Sequence, residues 1–128
     1  ALALGADFAY MGTRFIATKE ANADQGYKQM LIDSAADDIV YSSLFTGVSG
    51  NYLKPSIKNA GLEPDNLPDA DKSSMNFGSG GNTDAKAWKD IWGSGQGIGG
   101  IKDDPSVEDL VTRLKEEYNQ AKIEFNEK

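Results

Sequence analysis

Phe8-Ala9-Tyr10-Met11 is an apolar run closed by Asp7 on one side and Gly12 on the other. A run that is apolar at successive positions offers no face to water. A strand of that kind belongs inside a parallel sheet with both faces covered. Directly upstream, Ala1-Leu2-Ala3-Leu4-Gly5 reads as the last turn of a helix with glycine just past its end. Helix end, short turn and buried strand together make one αβ step of an α/β protein. A single parallel strand cannot close a sheet, and its two edges would stand unpaired. The opening residues therefore point to a larger architecture of which this chain holds a piece. A start inside the final turn of a helix, without an initiator methionine, gives the same expectation of truncation.

The rest of the chain is mostly helical in pattern. Phe15-Ile16-Ala17-Thr18 leads into a helix expected over 22–35, with Tyr27, Met30, Leu31 and Ala35 on one face. Gly26 weakens that helix by about 1 kcal/mol relative to alanine. The run Ile39 to Phe45 has the composition of a strand, and Thr46-Gly47 closes it. Asn51 is expected to cap a short helix reaching Asn59, with Pro55 in its first turn and Gly61 beyond its end. From Leu62 to Asp84 the chain is rich in proline, glycine and serine, the mark of a functional or mobile loop. Ala85 to Trp92 reads as a short helix carrying Trp88, Ile91 and Trp92. The last element is the clearest. Pro105 is expected at its first helical position, and Glu108 and Asp109 complement the helix dipole in its first turn. Val107, Leu110, Val111, Leu114, Tyr118, Ala121 and Phe125 form a stripe over about five turns, expected to cover a core. The segments are thus 1–18, 19–61, 62–84 and 85–128, with no internal repeat or heptad array.

Composition excludes several chemistries. The 128 residues include no cysteine and no histidine. Disulfides, thiolate or imidazole metal sites, cysteine nucleophiles and Ser-His-Asp catalysis are all removed. A net charge of −7 argues against nucleic acid or an anionic membrane as partner. No apolar stretch approaches the ~18 residues of a membrane span. The expected location is a soluble compartment, the cytoplasm. Asp37-Asp38 and Asp69-Ala70-Asp71 lack calcium-loop spacing and read as solvated surface, so no metal is expected.

Two glycine motifs remain. In Met11-Gly12-Thr13-Arg14-Phe15, glycine permits close approach of backbone to a ligand. Successive N–H groups with the Thr13 hydroxyl form a cradle that suits a phosphate. Pattern alone favours the plainer reading of a tight turn, and for Arg14 a structural ion pair over a phosphate contact. In Gly93-Ser94-Gly95-Gln96-Gly97-Ile98-Gly99-Gly100 a helix precedes the glycines and their spacing is G-x-G-x-G, so the dinucleotide fingerprint is rejected. The Gln96 amide both donates and accepts, which suits the edge of a flavin ring. Trp88 and Trp92, spaced i, i+4, read as core packing before pocket lining.

The blocks Ala1 to Asp7 and Met11-Gly12-Thr13-Arg14-Phe15-Ile16-Ala17-Thr18 resemble the nitronate monooxygenase family, formerly 2-nitropropane dioxygenase. Phe45-Thr46-Gly47, Trp88 to Trp92, Gly95 to Gly99 and the terminal helix agree in order with its C-terminal region. The resemblance implies an α/β parent, an FMN-binding (β/α)₈ TIM barrel. This chain would be its mainly helical C-terminal fragment with one or two short strands. It further implies that Tyr10, Met11, Gly12 and Thr13 contact the FMN phosphate, largely through backbone, and that Gln96 and Gly97 lie close to the flavin. Tyr10 stands where many members have glutamine. The family's base, commonly histidine, has no counterpart here. The implied parent chemistry is oxidation of an alkyl nitronate or a related small substrate. The isolated chain is expected to be inactive and to associate with itself or with the missing N-terminal half of the barrel. Two other readings stay open. One is a truncated product acting as a self-associating helical interaction module without flavin. The other is a fragment of a related barrel such as an FMN-dependent enoyl reductase.

Overall fold

The computed structural model describes residues 1–68 and 90–127. The chain divides into two compact units, Ala1–Ile32 with Ile101–Lys128, and Asp33–Gly100.

The first unit opens with a 3-10 turn, Leu2–Leu4, closed by Gly5 at φ 91°, whose N–H donates to the Leu2 carbonyl at 2.9 Å. That left-handed angle is the one glycine adopts without strain. Residues 6–12 then form no regular element. Phe8 is 88% exposed and Tyr10 99% exposed, so the buried strand expected over Phe8 to Met11 is not formed. The reason is pairing: a parallel strand takes its hydrogen bonds from neighbours, and the first unit has no strand among the described residues. A one-turn helix, α1 (Thr13–Ile16), follows. Helix α2 (Gln25–Asp33) is shorter than expected. The Asp24 carboxylate accepts the Gly26 N–H at 2.7 Å and ends the preceding coil there, as a capping acid does. Leu31 is buried, Tyr27 and Met30 are half-buried, and Ala35 lies exposed beyond the helix end.

Helix α4 (Val107–Asn126) is capped by Ser106, whose hydroxyl accepts the Asp109 N–H at 3.1 Å. Pro105 consequently sits one position before the cap and not at the first helical position. Its carbonyl is taken by the Lys19 N–H at 3.0 Å, and the Glu20 carboxylate takes the Val107 N–H at 3.0 Å. Ala17, Leu31, Ile101 and Leu110 form the core of this unit. Burying a leucine of this kind stabilises by about 1.5–3 kcal/mol. Only the first half of the α4 stripe packs. Val107, Val111 and Leu114 are half-buried around buried Leu110, whereas every residue of 115–127 is exposed, Tyr118 and Phe125 included.

The second unit is built on an antiparallel pair, β1 (Ile39–Ser42) and β2 (Gly50–Leu53), in register Ile39↔Leu53 to Ser42↔Gly50. The expected strand thus stops at Ser42, and the chain turns through Gly47 at φ 74°. Asn51 lies in β2 opposite Tyr41 and caps no helix; ladder pairing outweighs a single cap. Helix α3 (Lys54–Asn59) carries Pro55 in its first turn and ends before Gly61 at φ 82°. Residues 92–94 run along the other side of β2. Leu53 N–H donates to the Trp92 carbonyl at 2.8 Å, and Ser94 N–H to the Asn51 carbonyl at 3.2 Å. Leu53, Ile57 and Ile98 are fully buried and Ile91 nearly so. Buried Ser56 joins two segments: its hydroxyl donates to the Leu53 carbonyl at 2.7 Å and accepts the Trp92 N–H at 3.0 Å. Residues 85–89 of the helix read over Ala85 to Trp92, Trp88 among them, and most of the Leu62 to Asp84 loop lie outside the described residues.

Candidate functional site

The first candidate segment is Tyr10-Met11-Gly12-Thr13, the entry to α1. Tyr10 and Met11 are exposed, and their backbone groups make no hydrogen bond among the described residues. Gly12 spends only its carbonyl, on the Phe15 N–H at 3.0 Å. Its φ of −108° is open to any residue, and a Cβ built on it meets nothing within 4 Å. The fold itself therefore has no need of glycine at position 12. The N–H groups of exposed Tyr10, Met11 and Gly12, with room for close approach at Gly12, fit a phosphate by donor chemistry.

The far end of α1 is tightly held. The Arg14 guanidinium donates to the Ala17 carbonyl at 3.0 Å and the Asp103 carbonyl at 3.2 Å, and pairs with the Asp103 carboxylate at 2.9 Å. Arg113 makes two bonds to the same carboxylate, at 3.0 and 2.7 Å. The Arg113 hydrogen bond, then the nearby charges of Arg113 and Arg14, hold the Asp103 carboxyl below the usual range. Arg14 is thus a structural ion pair, as the sequence favours. Thr18 gives its hydroxyl to the Phe15 carbonyl at 2.8 Å, and Lys28 reaches from α2 to the Thr18 carbonyl at 2.7 Å. Sequence reasoning passes over Lys28 and Asp103. The signal for Lys28 was its place three residues before Leu31, on the inward face of α2. Asp103 carries no such signal.

The second candidate segment belongs to the other unit. Gln96–Gly100 forms a 3-10 turn. The pairing of residues 92–94 with β2 fixes its start, and buried Ile98 anchors its middle. Gln96 and Gly97 are exposed on it, and the Gln96 amide makes no hydrogen bond among the described residues. A Cβ on Gly97, Gly99 or Gly100 meets nothing within 4 Å. By contrast, a Cβ on Gly93 would lie 3.3 Å from the Asn51 carbonyl oxygen, a close approach the strand pairing requires.

Among the described residues no group of three acidic, histidine or cysteine side chains is placed to hold a metal ion. Among them, too, no helix is long and apolar enough to cross a membrane.

The backbone is that of part of a (β/α)₈ barrel protein. A solved structure of a FabK variant from Thermotoga maritima superposes on 98% of this chain with a TM-score of 0.65, at 18% sequence identity, and the chain covers 37% of it. The profile of the nitronate monooxygenase family matches residues 1–117, and the chain belongs to that family of flavin-dependent oxidoreductases. The nitronate monooxygenase of Paraburkholderia phytofirmans is 30% identical over 127 residues, which is 94% of this chain and 34% of the relative. The chain thus spans about a third of the length of the curated relative it matches.

Proposed function

We propose that the chain supplies part of the cofactor site of an FMN-dependent oxidoreductase, with Tyr10, Met11, Gly12 and Thr13 taking the FMN phosphate. The observation that carries the reading is Gly12: no backbone angle and no neighbouring atom calls for glycine there, yet the N–H groups of Tyr10, Met11 and Gly12 make no hydrogen bond among the described residues. Donors of this kind hold a phosphate without any basic side chain. Gln96 and Gly97 are assigned to the flavin ring, where the amide would meet a ring-edge donor or acceptor. When bound, FMN would supply the redox chemistry, the oxidation of an alkyl nitronate or a similar small substrate. The chain's own residues bind and orient. They include no histidine, so the proton acceptor the family commonly uses is not among them.

Titration of flavin fluorescence tests the assignment. Saturable quenching by wild-type chain, with FMN preferred over riboflavin, is the expected result. Gly12→Val is expected to weaken FMN binding at least ~10-fold, on the order of 1.4 kcal/mol, with the melting temperature unchanged. Equal FMN binding by wild type and Gly12→Val would remove the reading. The chain alone is expected not to turn over nitronate.

A second reading, a self-associating helical module without flavin, draws on the exposed Tyr118, Ile123 and Phe125 of α4. All three positions lie past residue 117, where the family match ends. Concentration-dependent mass in sedimentation, without flavin quenching, would favour it.

A further inference from the structure

Lys28 is the buried basic side chain of the first unit, with 5% of its surface exposed. A lysine in that setting is seldom tolerated without a strong acceptor. Its ammonium group donates to the Thr18 carbonyl at 2.7 Å, across ten positions of sequence. That carbonyl lies just past α1. Three of the carbonyls at this end of the one-turn helix have a side-chain donor: Phe15 from the Thr18 hydroxyl, Ala17 from Arg14, and Thr18 from Lys28. Thr18 itself is 1% exposed. A single helical turn has almost no stability of its own, because its nucleus fixes several torsions for one hydrogen bond. Here the turn is held from its C-terminal side, and Gly12, where it begins, contributes its carbonyl to the Phe15 N–H at 3.0 Å.

We propose that Lys28 is a positioning residue: by holding the Thr18 carbonyl it fixes α1, and with it the Gly12-Thr13 turn, in the form that accepts a phosphate. The inference rests on the phosphate reading above and names the device that sets it. Its consequence is a selectivity. FMN and riboflavin share the ring and differ at the phosphate, so a fixed turn favours FMN, and a released turn loses that preference without touching ring binding.

The test measures dissociation constants for FMN and riboflavin on the full chain by fluorescence quenching, with circular dichroism to check the fold. Lys28→Met keeps the length and removes the donor. It is expected to lower the FMN-over-riboflavin ratio about 10-fold while the riboflavin constant stays put. Lys28→Arg is expected to restore part of the ratio. Thr18→Val, which keeps shape and removes only the bond to Phe15, is expected to move the ratio the same way by a smaller factor, and serves should Lys28→Met fail to fold. A wild-type chain that prefers FMN while Lys28→Met or Thr18→Val keeps the full ratio overturns the inference alone. A wild-type chain that binds both flavins equally overturns the phosphate reading, and this inference with it.

Discussion

The two glycine-bearing turns look alike in sequence and are built in different ways. Gly12-Thr13 opens a one-turn helix, α1, whose far end is gripped by side chains. Gln96–Gly100 is held at both its start and its middle, by pairing of residues 92–94 with β2 and by buried Ile98. The first turn is therefore sensitive to a few polar contacts, and the second to packing. The difference teaches that a glycine is informative only once its surroundings are known. Gly93 answers to a neighbouring carbonyl, whereas Gly12 answers to nothing within the fold.

The largest expected effect separates the two by packing. Ile98→Ala should lower stability by about 2–5 kcal/mol, the cost of a cavity at a fully buried aliphatic position. It should also speed amide hydrogen exchange around Gln96 while leaving residues 13–18 protected. Uniform exchange in both turns would break the comparison. A smaller effect is expected from valine at the glycines. Gly93→Val should cost about 1–3 kcal/mol through crowding against the Asn51 carbonyl. The companion change at Gly12 should leave the thermal midpoint where it is, and equal losses would show that both turns are packed.

The smallest effect is one of pH. The Asp103 carboxyl has a folded value pushed below its unfolded one, so its contribution is complete above the usual carboxylate range, near pH 4. That contribution fades only as the pH falls through the lower, folded value. Wild-type chain should accordingly hold helix α4 to the body of its unit through pH ~4 and lose it in more acid solution. Asp103→Asn should abolish that acid step in a circular dichroism titration. Because the carboxylate is partly exposed, solvent screening keeps the change modest.

Much of this fold was legible where the cause is local. Gly5 and Gly61 end their elements at positive φ, Pro55 enters a first turn, and α4 begins within two residues of its expected start. What sequence could not settle depends on partners distant along the chain. Phe8 to Met11 has the composition of a buried strand, but composition supplies no neighbouring ladder. The α4 stripe was real as a pattern, yet a stripe does not say how much surface waits beneath it. Asn51 has the chemistry of a cap, and the pairing with Tyr41 claimed its backbone first. At the candidate site, Gly12 stood out in sequence, and no backbone angle or neighbouring atom in the fold requires glycine there. Lys28 and Asp103 were overlooked because their role lies in carbonyls and guanidinium groups that meet only after folding.

The far half of α4 has a practical use. Residues 115–127 are exposed throughout, and the chain contains no cysteine. A single Asn119→Cys change would therefore create one unique thiol on a rigid helical rod, outside the packed part of its unit. A spin label or dye placed there would act as an antenna, reporting when the chain meets another molecule while leaving both candidate turns untouched.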